Sequence, residues 1–168
     1  MVDIRPKEAS YLTNRAAAYM AIKRFKAALA DCQAASALQS GAPSAKTLVR
    51  LAKCHLAVGS PSASLLTVTQ ALALDPKDAQ GLDCKRKAEV MQSYLDRYES
   101  SKALKDWGQA KWALEKATEE CEGDQPIQWR IWKVELEIAR KKWDDAIQQA
   151  GWVFYYGVSE MYLTIGVC

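Results

Sequence analysis

The chain has 168 residues, of which 49% are hydrophobic and 26% charged, with a formal net charge of +3. That composition can bury a core and excludes a disordered chain. Residues 1–78 hold ten Lys/Arg against five Asp/Glu, while residues 79–168 hold thirteen against fifteen. The N-terminal half therefore favours an acidic partner, yet the excess is too weak for a dedicated nucleic-acid binder.

In chain order, Met1 to Arg15 is polar and lacks an apolar run, so no signal peptide is expected. Two stretches follow, Ala9 to Ala42 and Ala45 to Asp78, with the same spacing of small and bulky residues thirty-six positions apart. In the first, Ala16 and Tyr19 on one helix precede Phe25 at a turn and Ala28, Cys32 and Ala35 on a second helix. In the second, the equivalents are Ala52, His55, Pro61, Ser64, Val68 and Ala71, closed by Leu74-Asp75-Pro76. Small residues at these positions let antiparallel helices approach to roughly 8–10 Å, where their side chains interlock.

Farther on, Pro76 to Leu104 reads as one long helix, with Leu82, Met91, Leu95 and Tyr98 on one face. It turns at Lys105-Asp106-Trp107-Gly108 into a helix carrying Ala110, Leu114 and Ala117. Cys121 to Pro126 is a loop rich in breakers. A fourth hairpin has Ile127 to Arg140 as its first helix, a turn at Lys141-Lys142-Trp143 and a second helix from Asp144, which serves as cap or first-turn acid. All six Trp lie between Trp107 and Trp152. Trp107 and Trp143 stand where Phe25 stands and read as plugs packing hairpin on hairpin.

A period of about 34 residues with this pattern resembles the tetratricopeptide repeat. The resemblance implies an all-α solenoid of antiparallel helical hairpins wound as a right-handed superhelix. Its parts are repeat 1 at 9–42, with Ser40 where a Pro usually stands, and repeat 2 at 45–78. A divergent repeat with a long first helix follows at 79–122, then an incomplete fourth repeat at 127–156 and an irregular apolar tail at 157–168. Stacked hairpins present an extended concave surface, which favours binding over catalysis. Trp129 and Trp132, with Glu135, also resemble half-a-tetratricopeptide repeats of RNA-processing scaffolds.

The second, sixth and ninth positions of each first helix face the concave side of such a repeat. In repeat 1 the sixth position is Asn14, and in repeat 2 the second and sixth are Lys46 and Arg50. Lys and Arg at i and i+4 repel each other unless an anion sits between them, and the Asn amide adds an uncharged donor. The set suits a carboxylate.

The run Asn14-Arg15-Ala16-Ala17-Ala18-Tyr19 followed by Lys46-xxx-Arg50 resembles the carboxylate clamp of co-chaperone tetratricopeptide domains. Within that group the chain is similar to the tetratricopeptide-containing DnaJ-type co-chaperones, through Arg24-Phe25-Lys26-Ala27-Ala28-Leu29-Ala30-Asp31, through Lys53-Cys54-His55-Leu56 and through the long linking helix. The likeness covers roughly residues 9–150. It implies a peptide-binding adaptor that grips the acidic C-terminal EEVD tail of heat-shock chaperones, with Asn14, Lys46 and Arg50 as binding residues. Two clamp positions of the family precede the first repeat here, where Lys7 could stand in for one of them. No His-Pro-Asp tripeptide is present, so stimulation of a partner ATPase through a J domain is not expected.

An enzyme is not expected either. The single His and the absence of a Cys/His cluster or Gly-rich phosphate loop argue against a metal site, a cofactor and a nucleophile-base pair. Five widely spaced cysteines without a CxxC pair read as reduced packing residues, which points to the cytoplasm or nucleus. The apolar segment from Gly151 to Cys168 is interrupted by Gly157, Glu160 and Gly166 and is too broken for a membrane span of about 20 residues. The expectation is either a fragment of a longer protein or a homodimer that buries this segment. The alternative to tail recognition is a structural scaffold that packs on another folded protein, or on itself, through the Trp-rich second half.

Overall fold

A computed structural model describes residues 8–39 and 44–151. The elements are α1 (Ala9–Ala21), α2 (Phe25–Leu38), α3 (Ala45–Ala57), α4 (Pro61–Leu74), α5 (Ala79–Ala103), α6 (Trp107–Glu119) and α7 (Ile127–Ala139). A last helical run covers 143–151, and no strand occurs among the described residues. The protein is all-α, with adjacent helices packed as in a helical repeat solenoid: α1 on α2, α2 on α3, α3 on α4, and α1 touching α3.

The repeat is written into the backbone at its turns. Lys23, Gly59, Lys105 and Lys141 all take positive φ, between 58° and 72°. In each turn the next residue's N–H reaches back five residues: Arg24 to the Tyr19 carbonyl, Ser60 to His55, Asp106 to Ser101 and Lys142 to Glu137, at 2.8–2.9 Å. These are left-handed C-terminal caps, which satisfy the last carbonyls of one helix and aim the chain into the next. Phe25, Pro61, Trp107 and Trp143 then start the four second helices.

The small positions read from the sequence are the closest packed. Ala16, Ala28, Cys32, Ala35, Ala52, Ser64, Val68, Ala110 and Ala117 are fully buried, and Ala71 and Leu114 nearly so. Ser64 tolerates burial because its hydroxyl donates to the Ala52 carbonyl at 2.8 Å. One cluster joins Ala16, Ala28, Cys32, Leu51 and Cys54, with Tyr19, Met20 and Leu29 packed against it.

Two details differ from the sequence reading. Leu82 is 49% exposed, whereas Met91 and Tyr98 are buried together with Cys84, Ala88 and Ser101. Nine residues separate Leu82 from Met91, or two and a half helical turns, so they lie on opposite sides of α5. Trp143 is 59% exposed and plugs nothing among the described residues. Phe25, at the equivalent position, is buried because the loop before α7 closes over it: a Cβ built on Gly123 would lie 2.7 Å from the Phe25 ring. Trp107 is half-buried.

The described residues form two compact units. One holds the residues up to Ser93 with Glu119–Asp124, and the other holds Tyr94–Thr118 with the residues from Gln125 onward. In the second unit Trp129 is 3% exposed, Trp132 stacks on Tyr98 with centroids 4.7 Å apart, and Glu135 pairs with Lys102 at 2.7 Å. All three therefore pack or pair within the unit. Ser40, Lys7 and the apolar tail at 157–168, like residues 152–156 of the fourth repeat, lie outside the described residues.

Candidate functional site: a basic groove on the first helices

The N-terminus of α3 is fixed by Ser44, whose hydroxyl oxygen accepts the Thr47 N–H at 3.1 Å. With Leu48, Val49, Leu51 and Ala52 buried below, this register turns Lys46, Arg50 and Lys53 to one side on successive turns. All three line a groove of about 530 Å³ whose other residues come from α1, from α3 itself and from the start of α5 with the connection before it. Ala17, Met20 and Val49 supply apolar surface, and Asp75, Asp78 and Gln80 complete it.

Two of the cations are partly engaged. The Arg50 guanidinium donates through one N–H to the Thr13 carbonyl of α1 at 2.5 Å, which ties α3 to α1 and leaves four of its N–H groups for other partners. The Lys53 ammonium donates to the Gln80 side chain at 2.8 Å. The two acids have structural duties: Asp78 accepts the N–H groups of Gln80 and Gly81 as α5 begins, and Asp75 accepts that of Lys77. Lys46 is exposed at the mouth.

Asn14 is exposed on α1, one residue beyond the carbonyl that Arg50 holds, and is not among the groove-lining residues. The structure thus brings Lys46 and Arg50 together and leaves Asn14 beside them. Sequence reasoning missed Lys53, although it occupies the ninth position of α3, the third concave position of the same rule. It missed Asp75 and Asp78 because they belong to the connection between hairpins, which helical periodicity does not describe.

Asp31 on α2 is 7% exposed and accepts two hydrogen bonds from Arg15 on α1, both at 2.7 Å. This bidentate pair holds the Arg15 guanidinium charged far beyond neutral pH. Tyr11 and Tyr19 flank the guanidinium, with ring centroids 5.4 and 6.0 Å from its carbon. A hydrogen bond with Cys32 and burial push the Cys54 thiol well above its usual range, and burial pushes His55 down. The groove carries three cations, Lys46, Arg50 and Lys53, against the carboxylates of Asp75 and Asp78. Among the described residues, no group of three His, Cys, Asp or Glu side chains could hold a metal ion, and no helix is long and apolar enough to cross a membrane.

No family model matches the chain, and no solved structure matches it. It is 32% identical over 118 residues to the DnaJ homolog subfamily C member 7 of Homo sapiens and 31% identical over 118 residues to that of Mus musculus. Each alignment covers 70% of this chain and 24% of the relative, so the chain spans about a quarter of the length of the curated relatives it matches. Over 70% of its length the chain is homologous to a segment of these DnaJ homologs.

Proposed function

We propose that the chain is a non-catalytic, chaperone-associated adaptor of the tetratricopeptide type that binds the acidic C-terminal tail of a partner protein in the groove on α3. The observation that carries this reading is the alignment of Lys46, Arg50 and Lys53 on three turns of one helix facing a single groove. Homology to DnaJ homologs supports a heat-shock chaperone as the partner. Lys46 and Arg50 pair with carboxylates, and Asn14 donates to the terminal carboxylate at the edge of the groove. Four free cysteines among the described residues suit a reducing compartment, cytoplasmic or nuclear. Each charge-assisted hydrogen bond is worth about 1.5–3 kcal/mol, so a clamp of this size binds in the micromolar range and weakens with salt.

The test is calorimetric titration with an acidic peptide ending in EEVD and with its C-terminally amidated form. Binding that is lost on amidation and with Lys46→Ala supports the reading. Lys46 is the informative position because it is exposed, whereas Arg50→Ala would also cut the link to Thr13 and mix binding with stability. Absence of heat from a folded sample with either peptide rejects tail recognition in favour of the scaffold reading.

A further inference from the structure

The groove changes sign along its length. Its basic part shares Met20 and Lys53 with a second cavity of about 340 Å³. The floor of that cavity is apolar, formed by Phe25, Leu56, Ala57 and Cys84, and its rim carries Asp83, Glu119, Glu120 and Glu122 against Lys53 and Lys87. Three of those carboxylates belong to the end of α6 and the loop after it. The loop is held in place: the Gly123 N–H donates to the Ala57 carbonyl at 2.9 Å, and the Cys121 thiol donates to the same oxygen at 3.2 Å. A Cβ on Gly123 would lie 2.5 Å from that oxygen, so the close approach requires glycine.

A uniformly acidic peptide suits the first cavity and is repelled at the second. Lys87 is turned toward Asp83 at 3.4 Å, Asp83 also pairs with Arg86 at 2.7 Å, and Lys53 donates to Gln80 at 2.8 Å. A Lys or Arg side chain fits better there, because its methylene stem can lie on the apolar floor while its head group meets the carboxylates. We propose that this groove selects a peptide of mixed charge, with its C-terminal carboxylate at Lys46 and Arg50 and an upstream Lys or Arg side chain in the second cavity. The proposal rests on the carboxylate reading of the first cavity and adds to it a basic anchor of defined register.

The experiment titrates the full chain with short free-carboxylate peptides in which one Lys is moved upstream residue by residue. The control replaces that Lys with norleucine, which keeps the aliphatic stem and removes the charge. One register should bind about two- to fivefold tighter with Lys than with norleucine, the range of a solvated ion pair. The double variant Glu120→Gln/Glu122→Gln, at two exposed positions, should erase that preference and leave the effects of amidation and Lys46→Ala unchanged. If amidation-sensitive binding is present but no register prefers Lys, or the preference survives the double variant, the second anchor is wrong and the carboxylate reading stands. If no free-carboxylate peptide binds, the carboxylate reading fails and the mixed-charge proposal fails with it.

Discussion

His55 is the single histidine of the chain and sits half-buried on α3, at the position Tyr19 holds one repeat earlier. Burial lowers its pKa below the ordinary 6.5. The unfolded chain therefore takes up this proton at higher pH than the folded one, and the stability linked to it is complete above pH 6.5 and lost as pH falls below that value. The melting temperature should drop between about pH 7 and pH 5 by a margin that shrinks in His55→Gln, a change scanning calorimetry would detect. An equal drop in both proteins would place the acid sensitivity elsewhere. The same scale explains why Arg15 was legible only as part of a motif. Its partner Asp31 lies sixteen residues away, and no local periodicity joins the two.

At the scale of elements, the hairpins were legible because small residues recur at fixed offsets, and every one of those positions on α2, α4 and α6 is buried. The face of α5 was misread because, of the four bulky residues assigned to it, Met91 and Tyr98 are buried and Leu95 is half-buried, while an exposed Leu82 outweighed the smaller, buried Cys84 and Ala88. The turns carried no such warning. Three of the four left-handed caps are lysines, although a side chain costs roughly 1–2 kcal/mol in that conformation. The Gly59 turn has the same hydrogen-bond pattern without that cost. Lys105→Gly should accordingly raise stability by about 0.5–1 kcal/mol in urea denaturation, net of the added freedom of the unfolded chain. A neutral or destabilising result would mean that the Lys105 side chain contributes packing that offsets its backbone strain.

At the scale of the whole molecule, the two units have separate polar cores. In the second, Glu137 is 4% exposed and accepts from Lys111 at 2.7 Å and from Arg140 at 3.2 Å. Burial opposes its charge, but the Lys111 hydrogen bond and the surrounding cations outweigh it and hold the carboxyl below its ordinary range. Both partners keep about a third of their side chains in solvent, so Glu137→Ala leaves cations that can rehydrate rather than stranded charges. The cost is then about 1–3 kcal/mol, below that of a fully buried pair. Repeat proteins distribute stability over neighbouring units, so this loss should stay local. Hydrogen exchange followed by mass spectrometry should show roughly tenfold or faster exchange in α6 and α7, with little change in α1 to α4. An equal increase in every helix would instead mean that the chain opens as one cooperative body. The groove on α3 could then not be separated energetically from the Trp-rich half, and substitutions in either half would weaken peptide binding alike.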